Sequence, residues 1–237
     1  VESNVLKQPA GLAVEWRGRE RYAATWGYQR ACHAALKRNP QHSPDRLVLV
    51  EHEPVVTLGR HGDPANLPGG AAALAAAGID FHRIERGGDI TYHGPGQLVG
   101  YPLVDLRRRG LSLREFMRGL EEALIRTLGE YGLEAGRIPG LTGVWALPPP
   151  RAGGALPRVH HKLAAIGVAV QGGVTYHGFA LNVAPDLSHF GYIVPCGIAD
   201  RPVGSLELLL APQPPPSMEA ARTLAVRHLR SVFGYGD

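Results

Sequence analysis

The sequence predicts an α+β fold, with mixed or antiparallel sheets and flanking helices. Three observations carry this. Short segments rich in Val, Ile, Leu, Thr and Tyr recur along the 237 residues, each bounded by Gly or Pro. They are joined by tight turns and hairpins rather than by regular βαβ units. Helical patterns are few. The hydrophobic fraction, 44%, can fill a sizeable core. No shift in composition divides the chain, so residues 1–237 read as one domain.

Residues 19–37 predict a helix, because Tyr28, Cys32 and Leu36 recur at four-residue spacing. "RLVLVEH" (46–52) and "PVVTLGR" (54–60) predict strands, with Glu53-Pro54 as the break between them. "GIDFHRIER" (78–86) predicts another. "DITYHGPGQLVGYPLVDL" (89–106) reads as strand, Gly-Pro-Gly turn, strand. Ser112 and Glu115 form a capping box. It opens a helix carrying Phe116, Leu120, Leu124, Leu128 and Tyr131, closed by Gly132. "LTGVWAL" (141–147) predicts a short strand, and the Pro-rich stretch 148–161 an exposed loop. "KLAAIGVAV" (162–170), "QGG" and "VTYHGFALNV" (174–183) predict a hairpin. "SLELLL" (205–210) predicts a short helix. Beyond "APQPPPS", a C-terminal helix over about 217–233 carries Leu224, Leu229, Val232 and Phe233 on one side. "TYHG" occurs twice, at 91–94 and 175–178, but the flanks differ and no internal repeat follows.

Composition excludes several classes. No apolar run reaches the ~18 residues of a membrane span. The N-terminal residues lack a signal-peptide layout. The two cysteines, Cys32 and Cys196, make no disulfide framework. A soluble cytoplasmic protein is expected, with no membrane partner. The formal charge of +4 suits acidic partners, and no nucleic-acid-binding motif is present. There is no Walker-type phosphate loop. "GPGQLVG" (94–100) misses the dinucleotide fingerprint by one position and opens a strand, not a helix. No His/Cys cluster has zinc spacing, so no metal is expected. No G-x-S-x-G elbow occurs.

Two residues stand out. Cys196 lies between Pro195, which fixes its own φ, and Gly197, which lets a ligand approach the backbone. The residues alone allow a structural cysteine in a turn or a reactive thiol. A free thiol is only partly ionised at neutral pH and needs a neighbouring cation or base. Lys162 is a candidate. The chain has 22 arginines and three lysines, and a lysine kept against such a bias can be one whose proton must move. A plain surface lysine next to a loop is, taken alone, the commoner case. Cys32, on its helical stripe, reads as a small buried apolar residue.

In this order, "RGGDITYHGPGQLVGYPLVDL", "KLAAIGVAV", "HGFALNV" and "PCGI" resemble the octanoyltransferases of lipoate synthesis, also called lipoyl(octanoyl) transferases. The likeness runs from about Tyr22 to Leu210. It implies a catalytic fold like that of biotin and lipoate protein ligases. It implies transfer of an octanoyl, or lipoyl, group from acyl carrier protein to a specific lysine of lipoyl domains. Those of the 2-oxoacid dehydrogenases and the glycine cleavage H protein are the implied acceptors. No cofactor is implied, and a monomer is expected. By the same resemblance Cys196 is acylated and Lys162 is its partner. Arg86, Gly87, Gly88, Asp89, Ile90, Thr91, Tyr92 and His93 match the acyl-substrate pocket. So do Ala165, Ile166 and Gly167, and Gly178, Phe179 and Ala180. For Tyr92, His93 and Phe179 simple packing competes with a direct role. The chain departs from the family in a longer 148–161 loop, and in Gly204-Ser205-Leu206 where Thr-Ser-Leu is expected.

The rivals are an ATP-dependent ligase on the same fold, using a lysine but no acylated cysteine, and a non-catalytic binding module. Backbone N–H groups near Gly167 or Gly197 are candidate oxyanion donors. The small residues of the Gly-rich motifs are expected to leave room for an acyl tunnel. Arg107, Arg108 and Arg109, with Arg114 and Arg118 beyond, form the densest basic run. They are the candidate docking surface for an acidic partner, or simply a solvated helix start.

Overall fold

In a strand buried on both faces, neighbouring side chains feed different cores. The computed structural model describes residues 11–150, 159–194 and 201–236. In β2 (Asp45–His52), Leu47 and Leu49 join one core while Val48 and Val50 join another. β6 (Gln97–Leu103) is buried at every position. Around this pair a seven-stranded mixed sheet runs β1-β2-β6-β10-β9-β8-β7. Its other strands are β1 (Leu12–Glu20), β7 (Ala135–Ile138), β8 (Leu141–Ala146), β9 (His161–Gln171) and β10 (Val174–Asn182). Helix α1 (Tyr22–Arg38) packs on one face, and α4 (Leu113–Gly129) and α6 (Met218–Phe233) on the other. A smaller sheet, β4-β3-β5, is built from β4 (Asp80–Arg83), β3 (Val55–Leu58) and β5 (Ile90–His93). Its own core joins Val56, Leu58 and Ile90 to Leu74 of α2 (Gly70–Ala76).

Several expectations are met. The α4 capping box is formed, with Glu115 N–H donating to Ser112 Oγ at 3.2 Å and Ser112 N–H to the Glu115 carboxylate at 2.8 Å. Gly132, at φ +73°, turns the chain away after α4. β9 and β10 form the hairpin, closed by Gln171 and Val174 around Gly172 and Gly173, both at positive φ as a two-residue turn requires. Short helix α5 (Leu206–Leu210) is capped by Ser205, and α6 by Ser217.

Others are corrected. β1 escaped the hydrophobic pattern because it is a charged edge strand, with Val14 and Trp16 exposed. The helix expected from 19 starts at Tyr22, since Arg19 and Glu20 pair with β2 and Arg21 is extended. β1-α1-β2 and β3-α2-β4 are parallel crossovers, so hairpins do not dominate as expected. α2 was silent because its alanine-rich turns bury only Leu74. The strands flanking Gly94-Pro95-Gly96 belong to different sheets, and the turn carries the chain between them. There Gly96 lies against Ala184, where any Cβ would sit 2.2 Å from its carbonyl oxygen. In α6 the buried stripe is Ala221, Ala225 and Leu229, with Leu224 off it. The exposed loop ends at 160, because His161 is buried and opens β9. Residues 151–158 lie outside the described ones.

The three arginines of the run's centre are not free for docking. Helix α3 (Leu106–Arg109) spends all three arginines on the fold. Arg107 donates to the Gly172 carbonyl, and Arg109 to the Phe233 carbonyl while lying 4.0 Å above the Tyr235 ring. Arg108 reaches the Pro40 and Ser43 carbonyls and the buried Asp45 carboxylate at 2.5 Å. Asp45 also accepts from Tyr235 Oη at 2.8 Å and Asp105 N–H at 3.1 Å. One buried carboxylate thus ties β2, α3 and the end of α6 together. Asp45→Ala leaves three donors without their acceptor. It should cost about 3–5 kcal/mol by chemical denaturation, with the linear slope against denaturant unchanged.

Candidate active site between the two sheets

The two sheets diverge around a cavity floored by the α1 face of the large sheet and walled by β5 and residues 86–89. Along β5, alternation sends Thr91 and His93 to the cavity, whose wall Ile90 also reaches. Tyr92 does not line it. Its ring packs in the small sheet's core and its hydroxyl meets His189 Nδ1 at 2.7 Å. From the large sheet come Ala165, Ile166 and Gly167 of β9 and Gly178, Phe179 and Ala180 of β10. Arg86, Gly88 and Asp89 complete the expected set there, while Gly87 lines an adjoining open groove. The walls are largely carbon.

Residues 86–89 are held by close backbone approach. The Arg86 guanidinium is buried and donates to the Thr57 carbonyl at 2.7 Å, Thr57 Oγ1 at 3.0 Å and the Gly87 carbonyl at 3.1 Å. It acts as a clamp on β3. Gly87 N–H bonds the Val168 carbonyl at 3.1 Å, and Gly59 N–H the Asp89 carbonyl at 2.9 Å. A Cβ at Gly59 would lie 2.3 Å from the Gly88 carbonyl, and one at Gly178 2.2 Å from the Gly100 carbonyl. These glycines serve backbone contact. Gly88 and Gly178 both line the cavity; Gly178 also seats β10 on β6, and Gly88 takes φ +86°.

Lys162 reaches the site through an irregularity. β8 pairs Val144 with Ala164 but Trp145 with Lys162, so β9 carries one extra residue. Leu163 and Ala164 are consecutive in the core as a result. The slip restores Lys162 to the side of Ala165 and Gly167, as a β-bulge does. Lys162 is half-buried, with Nζ 5.4 Å from the Trp145 ring centroid, and borders both cavity and groove. Cys196 lies outside the described residues, as do Pro195 and Gly197. The described chain on either side is anchored at the site. Val194 N–H donates to the Asn66 carbonyl at 2.8 Å, and Asn66 bonds the Asp89 carboxylate. Lys162 N–H donates to the Pro202 carbonyl at 2.9 Å, and Gly204 N–H to the Lys162 carbonyl at 3.0 Å.

Sequence reasoning missed the polar floor. Tyr22, Tyr101 and His177 line the cavity, with His52 behind them. His52 Nε2 lies 2.7 Å from Tyr101 Oη, and His93 Nδ1 2.8 Å from Gln97 Oε1. Gln97 in turn donates to Asn182, which donates to the Gly204 carbonyl. His177 holds φ +60°, the one positive φ outside glycine among the described residues. Its ring nitrogens have no hydrogen-bond partner there, the Glu85 carboxylate being 3.8 Å away. Such local strain persists only where surroundings enforce it. The repeated "TYHG" was the available signal, since its two histidines, His93 and His177, meet in this cavity.

A lipoyl protein ligase A/B catalytic domain family model matches residues 21–230. This defines the class. An octanoyltransferase of Acidobacterium capsulatum is 48% identical over 80% of this chain and 77% of its own. One of Synechococcus sp. is 43% identical over 94% and 83%. The chain belongs to this family, in its octanoyltransferase branch, and is an acyltransferase. The fold is also that of a bipartite lipoate protein ligase of Thermoplasma acidophilum, at TM-score 0.68 and 18% identity over 96% of this chain and 85% of that one. A biotin protein ligase of Aquifex aeolicus matches at TM-score 0.52 and 10% identity, over 94% and 70%. Among the described residues no helix is long and apolar enough to cross a membrane.

Burial makes the floor acid-sensitive. It pushes His52 down to about 4, and His93 and His177 to about 3. Unfolded, each would bind a proton near pH 6.5. Stability from keeping them neutral is whole above that pH and falls as pH drops toward 4, by about 1.4 kcal/mol per pH unit per histidine. Urea midpoints between pH 7 and 4.5 should fall steeply, and less steeply in His93→Gln.

Proposed function

We propose that the chain moves an octanoyl group from the thioester of acyl carrier protein to a lysine of a lipoyl domain, through an acyl thioester on Cys196. The carrying observation is convergence. Segments 86–93, 165–167 and 178–180, far apart in sequence, share one largely carbon-walled cavity. Lys162 stands where that cavity meets an open groove, hydrogen-bonded to the chain that follows 195–200. The acyl chain occupies the cavity, and the groove admits the two partners in turn.

The Cys196 thiolate attacks the carrier's carbonyl carbon, the carbon–sulfur bond to the carrier breaks, and the departing carrier thiolate takes a proton from the Lys162 ammonium, which leaves that amine neutral for the second step. Thioester for thioester is nearly isoenergetic. The acceptor amine then attacks, the Cys196 thiolate leaves, and the amine's proton passes to Lys162. The product amide makes this step strongly downhill, so no nucleotide is needed. Lys162 as an ammonium also favours the thiolate before the first step. The acceptors are the lipoyl domains of lipoate-dependent enzymes, and the working form is a cytoplasmic monomer.

Three experiments test this. Cys196→Ser should abolish transfer while Cys32→Ser, half-buried on α1, stays near wild type. Full transfer by Cys196→Ala would overturn the mechanism. Lys162→Arg keeps the charge but cannot accept a proton. It should acylate from the carrier but lose roughly 10²–10⁴-fold in transfer to the acceptor, measured by single-turnover assay of each half. Ala165→Leu instead adds bulk to the cavity wall. Each methylene left unseated costs about 0.8 kcal/mol, so selectivity should shift from octanoyl toward butanoyl and hexanoyl thioesters. An unchanged chain-length profile in the folded variant would place the acyl chain elsewhere.

A further inference from the structure

The arginine run of α3 is consumed by the fold, so the basic face must be sought among cations the fold does not use. Arg30 of α1, Arg60 after β3 and Arg83 of β4 come from three elements and line one open cleft. All three are exposed, and none forms an ion pair or side-chain hydrogen bond among the described residues, whereas Arg17, Arg19 and Arg46 all pair with carboxylates. Arg30 is held over the Trp26 ring, 4.6 Å from its centroid, which stiffens one wall. One carboxylate, Glu85, also borders the cleft, and it faces His177.

The cleft adjoins the site. Arg60 faces the cleft and the next residue, His61, lines the groove that Lys162 borders. The rim of Gly59, Arg60 and His61 therefore separates the two. A protein seated in the cleft is set back from Lys162 by that rim. A long flexible arm can cross that rim from the cleft into the groove that Lys162 borders. We propose that the Arg30, Arg60 and Arg83 cleft docks an acidic carrier protein bearing its acyl thioester on a long flexible arm, the arm crossing the rim into the groove. This rests on the carrier-donor reading above. Charge complementarity selects an acidic surface, and exposed charges act chiefly on the association rate, screened over about 8 Å at physiological salt.

The test is Arg30→Gln, Arg60→Gln and Arg83→Gln combined, with Arg60→Glu and Arg83→Glu as single variants should the triple fold poorly. The donors are octanoyl-acyl carrier protein and the octanoyl thioester of N-acetylcysteamine. At low salt kcat/KM for the carrier should fall about tenfold, with a flatter salt dependence. The small thioester should react within about twofold of wild type, and KM for the lipoyl domain should not change. An unaffected carrier reaction at low salt overturns the proposal. So does an equal loss with the small thioester, a rise confined to the lipoyl-domain KM, or tighter wild-type binding of duplex DNA than of carrier. If the wild-type protein takes no acyl group from the carrier, the donor reading itself fails; if it does and the variants match it, only the docking surface is refuted.

Discussion

The site depends on one buried guanidinium and the glycines around it. Arg86 fastens residues 86–89 to Thr57 of the small sheet, and Gly87 fastens them to Val168 of the large one. The two sheets are thereby joined along the edge of the cavity. A buried cation is tolerable only when its donors are satisfied, and Thr57 with the Gly87 carbonyl satisfies much of Arg86. The contacts of Gly59 with Gly88 and of Gly167 with Gly87 leave no room for a Cβ. The Gly-rich motif is thus a packing device that positions the cavity wall. The bulge at Leu163 is its counterpart on the opposite side, since it turns Lys162 from the helix-packed core toward the same space.

The cavity combines carbon walls with a neutral polar floor. Burial keeps His52, His93 and His177 uncharged at neutral pH. An uncharged floor suits an acyl chain, because it demands no counter-ion and attracts little water. Lys162 stands at the junction of cavity and groove. The floor network runs from Tyr92's carbonyl through Gln97 and Asn182 to Gly204, beside the chain that follows 195–200. The floor and the chain that follows 195–200 are therefore one hydrogen-bonded unit.

Much of this was legible in the sequence because it rests on short-range patterns. The capping box at Ser112, the Gly-Gly hairpin and the double-sided strands "RLVLV" and "QLVGYPL" are local signals, and the structure keeps them. The motifs 86–93, 165–167 and 178–180 were legible by resemblance, and all but Tyr92 and Gly87 line the cavity, Gly87 facing the adjoining groove. Tyr92 failed because alternation along β5 turns it to the other core. β1 and α2 were hidden, one as a charged edge and the other as an alanine helix without a stripe. The bulge and the left-handed His177 leave no pattern, since both follow from pairing between distant strands. The α3 arginines looked like a surface patch because a run of like charge says nothing about carbonyls and a carboxylate brought in from Gly172, Pro40, Asp45 and Phe233.

The central claim is a covalent acyl intermediate on Cys196. Intact-protein and peptide mass spectrometry after mixing with octanoyl-acyl carrier protein, without acceptor or ATP, tests it directly. The account predicts one octanoyl group per chain, on the peptide containing Cys196 and released by a lipoyl domain. A protein that remains unmodified yet transfers the group at full rate, or that carries it on Lys162, would contradict it.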